Sequence, residues 1–271
     1  MNYLTYKPSL ALSKYIKCYW TLDASREIEP QKQRIVPDGC MEMIFHHGDF
    51  YKQYLESGKT IVQPKCFVFG QVTQPLEIEP MGATGIFAIR FFPDGFTPFS
   101  TMPISGMENR AVPLQELYGK NGLQLEKKIL KASTVEDRIT IIEAFFLNQL
   151  NTKNNIDNLT KSCVDIIFQL NGQVTVDKLS AELSVNRRQL ERRFSSLIGI
   201  SPKQLSKMIR LQSTLKMLLN NQYTSLTSIA YEGDYYDQAH FIKDFKEFTG
   251  VSPRDFFSEN LKMTALFSSK D

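Results

Sequence analysis

The stretch Asn186–Pro202, NRRQLERRFSSLIGISP, decides how the C-terminal half of this chain is read. Leu190, Phe194 and Leu197 recur at i, i+4 and i+7, the spacing of one helix face, and so form the buried stripe of a short amphipathic helix. Arg187, Arg188, Arg192 and Arg193 are distributed around the rest of its girth. Asn186 stands where a side-chain oxygen accepts from the first free N–H groups of a helix, and Gly199 where a left-handed residue ends one. Just upstream, Val176–Ser184 reads as another short helix, capped by Thr175 and turning Leu179 and Leu183 inward.

The pattern occurs twice. Leu190-Glu-Arg-Arg-Phe194 is echoed by Phe241-Ile-Lys-Asp-Phe245, and Gly199-Ile-Ser-Pro202 by Gly250-Val-Ser-Pro253, both at an offset of 51 residues. Leu179-Ser180 is echoed by Ile229-Ala230 at an offset of 50, so the second turn is one residue longer. Helix, glycine and Ser-Pro repeated in order mark a duplicated unit. Two short helices joined by a tight turn, the second rich in Arg, Asn and Gln, form a helix-turn-helix, whose second helix lies in the DNA major groove. Residues 174–257 resemble the DNA-binding domain of AraC/XylS-type bacterial transcription regulators, most clearly in Ile229–Lys246 and Gly250–Phe256. The resemblance implies an all-α domain with two helix-turn-helix units, about 175–199 and 225–250, joined by a long helix. It also implies double-stranded DNA as a partner, and RNA polymerase if the protein is an activator. Two departures stand out: Ser184 in the first turn where glycine is frequent, and Gly233 followed by Asp234 in the second. Aspartate tolerates a left-handed backbone better than most residues, so the second turn is expected to survive.

Pro202–Leu219 reads as the connecting helix, with proline near its first position and Leu205, Ile209, Leu211 and Leu215 as its stripe. At about 1.5 Å per residue it spans about 27 Å, a separation that suits two reading helices in successive major grooves on one face of DNA. Arg187, Arg188, Gln189, Glu191 and Arg192 are the exposed positions of the first reading helix. By resemblance, Arg188, Glu191 and Arg192 face the bases; arginine suits guanine O6 and N7, and glutamate can accept from cytosine. Glu191 could instead orient Arg188 or Arg192. On the second helix Gln238, His240 and Lys243 share the exposed face, with Asp237 as N-cap. Thr175 and the N–H groups at helix starts are expected to meet phosphates, and Asn186, the cap of the first reading helix, is counted among the DNA-binding residues. Net charge is only +3, but Arg187–Lys216 holds eight basic residues against the single acid Glu191, a local footprint for phosphate.

Residues 1–110 read as β. Apolar bursts at Met41–Phe45, Cys66–Phe69 and Gly85–Phe92 are separated by turn signals such as Pro37-Asp-Gly39 and Pro93-Asp-Gly95, which suggests a small barrel or sandwich; the resemblance to AraC/XylS-type regulators implies that it is cupin-like and in the role of a sensor. Tyr6-Lys-Pro8, Tyr15–Trp20, Arg34–Gly39 and Phe69–Thr73 resemble the N-terminal domain of one subgroup of these regulators, which implies a small-molecule effector, a homodimer contact, or both. Arg90 is the only charge in the strand Ile86–Phe92; it could hold an anionic ligand or pair with an internal carboxylate. Trp20, with Tyr15 and Tyr19, could line a pocket or pack in the core. His46 and His47 are adjacent and so point to opposite faces of a strand; no metal or cofactor is expected.

Residues 111–150 turn helical: Leu114–Tyr118, Leu123–Leu130 and Val135–Leu150, the last apolar over more than half its girth and suited to a packing layer or a subunit interface. Thr134 and Asp137 resemble a capping box. The polar run Asn151–Asn158 reads as a linker, 151–160, to the DNA-binding domain, 161–271, which opens with a packing helix over Cys163–Leu170. No apolar run reaches the roughly 20 residues of a membrane span, no secretion signal opens the chain, and four scattered cysteines suggest reduced thiols, so a cytoplasmic protein is expected. Two rival functions remain. One is a DNA-repair alkyltransferase-like enzyme, disfavoured because no cysteine stands beside a histidine; the other is a sequence-blind architectural DNA binder.

Overall fold

The computed structural model describes residues 1–150, 157–219 and 225–256. Ten strands form two sheets. Six of them, β1 (Asn2–Tyr6), β2 (Ile16–Ala24), β4 (Glu42–His46), β7 (Cys66–Phe69), β9 (Thr84–Phe91) and β10 (Ala111–Pro113), make a sheet in the order β1-β2-β9-β4-β7-β10. The other four, β3 (Gln33–Ile35), β5 (Tyr51–Tyr54), β6 (Thr60–Val62) and β8 (Leu76–Pro80), make a smaller sheet in the order β3-β8-β5-β6. Every pairing is antiparallel.

The large sheet is covered on both faces, which explains why β9 is buried throughout and mostly apolar rather than alternating. Phe87, Ile89 and Phe91 pack with Tyr19, Met43, Phe45 and Val68 beneath three helices, α1 (Leu114–Tyr118), α2 (Lys120–Lys131) and α3 (Val135–Leu150). Ile86 and Ala88, with Trp20 and Leu22, face the small sheet and meet its Tyr51 and Ile78. Tyr19 and Trp20 therefore lie on opposite faces and do not line one pocket together. The apolar face of α3 goes to its own sheet: Phe146 packs on Phe91 and Phe99, with ring centroids 5.6 and 4.5 Å apart. Asp137 N–H donates to Thr134 Oγ1 at 3.1 Å, one half of the expected capping box.

The C-terminal domain is all α: α4 (Asn158–Gln169), α5 (Val176–Glu182), α6 (Arg187–Ile198), α7 (Pro202–Leu219), α8 (Leu226–Glu232), α9 (Gln238–Thr249) and α10 (Pro253–Phe256). Its packing helix α4 starts five residues earlier than expected, because Asp157 caps it by accepting from Thr160 N–H at 2.8 Å. The end of the expected linker is thus helix, and its Asn151–Ile156 part lies outside the described residues. Leu179, Leu190, Phe194, Leu205, Leu211, Leu215, Ile229, Phe241 and Phe245 share one core around α7. Val36, from the loop between β3 and β4, is buried in that same core.

Candidate DNA interface

Both helix-turn-helix units are built from the same backbone hydrogen bonds. In the first, Leu183 N–H donates to Leu179 O, Ser184 to Ala181 and Val185 to Ser180; in the second, Gly233 donates to Ile229, Asp234 to Tyr231 and Tyr235 to Ala230. Each member of the second set lies 50 residues beyond its counterpart, and the N-caps Asn186 and Asp237 lie 51 apart. The extra residue is therefore Tyr236. It is 90% exposed, directly before the second reading helix, and the sequence reading missed it because an inserted aromatic carries no periodicity. Ser184 and Asp234 take φ of 51° and 54°, the left-handed turns where glycine was missing, while Gly233 stays in ordinary space at −79°.

The reading helices are capped as the sequence demands. Asn186 Oδ1 accepts from the N–H of Arg188 and Gln189, Asp237 Oδ1 accepts from His240 N–H at 2.7 Å, and Gly199 and Gly250 end α6 and α9 at φ of 88° and 77°. Thr175 caps α5 by accepting from Lys178 N–H.

Charge divides the first reading helix into occupied and available arginines. Arg187 is held by Asp177 at 2.9 Å and by Glu191 at 3.4 Å, and Arg193 is bound to Asp157. Arg188 and Arg192, one turn apart, are exposed, and among the described residues neither side chain has an ion-pair partner. Glu191 thus meets Arg187, rather than Arg188 or Arg192, one of the alternatives its sequence position left open. Gln189 is exposed beside Arg188. On α9, Gln238 Oε1 accepts from Thr227 at 3.1 Å, His240 Nδ1 accepts from Tyr236 N–H at 3.4 Å, and Lys243 is exposed.

One buried carboxylate ties the second unit to the connecting helix. Asp244, 2% exposed on α9, meets Lys207 at 3.0 Å and Arg210 at 3.1 Å from α7, with His240 Nε2 at 3.7 Å. Burial opposes the charge on Lys207, but Glu247 and Asp244 outweigh it, so its ammonium titrates above the ordinary lysine value. The basic run is therefore partly ion-paired within the domain: Arg187 and Arg193 in exposed pairs, Lys207 and Arg210 in largely buried ones. A broad groove brings Thr175 and Arg187 of the first unit together with His240 and Lys243 of the second, across α7. Arg188, Gln189, Arg192 and Gln238 do not line it.

The residues expected to bind a ligand lie elsewhere. Arg90 is paired internally, with Asp38 and, at 3.0 Å, with Glu42; Trp20 Nε1–H donates to the same Glu42 at 3.2 Å. Both border a cavity between the two sheets.

Comparison with known proteins agrees with this geometry. Residues 179–259 match the helix-turn-helix domain family, and residues 4–113 match a domain of unknown function, DUF6597. Residues 179–259 therefore form a helix-turn-helix domain, similar to that of the AraC/XylS-type regulators. It is similar to the HTH-type transcriptional regulator MtrA of Neisseria gonorrhoeae, 36% identical over 84 residues, or 31% of this chain and 28% of that protein. The HTH-type transcriptional regulator GbdR of Pseudomonas aeruginosa is 32% identical over 82 residues, or 30% of this chain and 22% of that one. The matches thus span less than a third of these relatives' length. Among solved structures, ToxT from Vibrio cholerae aligns over 93% of this chain and 99% of its own, at 14% identity and a TM-score of 0.46. No helix among the described residues is long and apolar enough to cross a membrane.

Proposed function

We propose that the protein is a sequence-specific transcription regulator that sets α6 and α9 into successive major grooves of double-stranded DNA, with an N-terminal domain that binds an effector, mediates dimerisation, or both. The observation that carries this reading is the duplicated, identically hydrogen-bonded turn, followed in each copy by a capped helix with exposed side chains. Arg188 and Arg192 read bases in the first groove; in the second, Gln238, His240 and Lys243 do so, with Tyr236 at the helix start. Thr175, Asn186 and the helix N-termini take phosphates. Arg187 acts as a positioning residue and Glu191 fixes it. The two units differ, so the site they read is asymmetric and about two helical turns long. The enzyme alternative finds little support in the thiols: burial pushes Cys163 up to about 12 and Cys66 higher still, and a neutral thiol is a poor nucleophile.

Selection from a randomised DNA pool at physiological salt tests the proposal. Enrichment of one asymmetric motif is the expected result; a pool bound without enrichment would mean architectural, sequence-blind binding. RNA polymerase enters as a partner only if the regulator activates.

A further inference from the structure

An apolar residue ahead of a helix cap commonly packs on the fourth residue inside, which fixes the angle at which the chain enters. In the first unit that residue is Val185, which packs in the same core as Leu190. In the second, the residue 50 positions on is Tyr235, whose ring centroid lies 5.3 Å from that of Phe241, the fourth residue of α9. The Arg210 guanidinium covers Tyr235 from α7, 4.4 Å from the ring centroid. The packing role is therefore filled, and the extra residue Tyr236 is surplus to it. Its side chain stays 90% exposed.

The backbone of Tyr236, by contrast, is held. Its N–H donates to His240 Nδ1 at 3.4 Å, while His240 N–H donates to Asp237 Oδ1 at 2.7 Å. The two bonds form a reciprocal pair like a capping box, with the third residue of the helix reaching back past the cap. In the first unit the third residue is Gln189, whose side chain makes no hydrogen bond among the described residues. A ring nitrogen that accepts carries no proton, so the neutral imidazole of His240 keeps its proton on Nε2. That nitrogen stands 3.7 Å from Asp244 Oδ2, where the carboxylate charge favours this tautomer. Asp244 is itself fixed by Lys207 and Arg210 of α7, and the Tyr235 ring meets the imidazole edge-on at 5.4 Å. Both His240 nitrogens are thus turned to the protein, and what they hold in place is the residue before the cap.

We propose that Tyr236 is the specificity-determining residue at the start of the second reading helix, packing its ring on the 5-methyl group of a thymine, and that His240 is the positioning residue that sets it there. The N-terminal residues of a reading helix are those that meet base edges, and the thymine methyl is the apolar group that the major groove presents to them. An aromatic ring fixed at its backbone and left bare at its side chain matches that group. The inference rests on the regulator reading above and gives His240 its part in it, since His240 serves the second groove through Tyr236.

The test is binding of the full chain to the duplex enriched from the randomised pool, with each thymine in turn replaced by deoxyuridine, which removes only the 5-methyl group. One replacement in the half of the site bound by α9 weakens the wild type about fourfold, the worth of one buried methyl group. Tyr236→Ala binds the two duplexes alike at that position, and Tyr236→Phe keeps the difference. His240→Leu, which offers no acceptor, shrinks the difference and speeds hydrogen exchange at the Tyr236 amide. His240→Gln, which can reach back as glutamine does in a capping box, restores both. An enriched site with no thymine under α9, a wild type indifferent to every replacement, a difference that survives Tyr236→Ala, or one lost in Tyr236→Phe overturns the contact and leaves the regulator reading standing. His240→Leu discriminating as the wild type does, or His240→Gln no better than His240→Leu, overturns the positioning role. A pool that enriches no motif removes the regulator reading itself and takes this inference with it.

Discussion

The proposed reading of the first groove falls to two arginines because their neighbours are spoken for. Arg188→Ala and Arg192→Ala should each cost roughly 1–3 kcal/mol of affinity at particular base pairs and leave thermal stability almost unchanged, since both side chains are exposed. Tyr236→Ala should likewise weaken DNA binding without unfolding the domain, which parallel melting and titration would show. Ser184 is the converse case. Its left-handed backbone costs a non-glycine residue roughly 1–2 kcal/mol, so Ser184→Gly should raise the melting temperature and Ser184→Val lower it. His46 gives a pH dependence with a defined sign. Its folded-state value of about 4 lies below the ordinary 6.5, so the unfolded chain binds the extra proton first. Stability from this group is fully present above about pH 6.5 and is lost as pH falls toward 4, on the order of 3 kcal/mol in all. Denaturant titrations across that window check it, and His46→Gln should flatten the slope.

At the level of elements, the duplicated units place equivalent residues in opposite electrostatic roles. Arg193 on α6 reaches outward to Asp157 at the cap of α4, whereas Asp244, 51 residues on, reaches inward to Lys207 and Arg210 on α7. The second reading helix is therefore locked to the connecting helix by a buried charge that the first lacks. Removing it leaves two half-buried cations facing each other, and Asp244→Ala should destabilise the domain by roughly 3 kcal/mol, as for other broken buried pairs, with thermal melting as the readout. The helices themselves were legible in the sequence because caps and apolar stripes are local. Thr175, Asn186 and Asp237 mark three starts, and Gly199 and Gly250 mark two ends, where the structure has them. The ion pairs were not legible, since Asp157 and Arg193 lie 36 residues apart and nothing in the spacing couples them. Four residues of the basic run 187–216 are accordingly ion-paired within the domain.

Across the whole molecule, the two halves that the sequence presents as separate units are in contact. Thr97 Oγ1–H donates to Leu197 O at 2.7 Å, Ile104 packs on Gly199 at the end of the first reading helix, and Pro75 approaches Gly250 at the end of the second. Irregular loops make these contacts, and loops carry no periodicity from which to foresee them. The N-terminal domain thus touches the C-terminal end of each reading helix as well as α7 between them, which leaves the N-terminal ends of α6 and α9 to DNA. The measurement that bears most directly on this account is a footprint of the intact protein on genomic fragments at physiological salt, alongside Arg188→Ala and Arg192→Ala. The account requires an asymmetric protected site of about two helical turns, weakened by each variant at its own base pairs. Uniform protection along any DNA, reduced equally everywhere by both variants and falling steeply with salt, would show that the duplicated unit only holds phosphates and would contradict it.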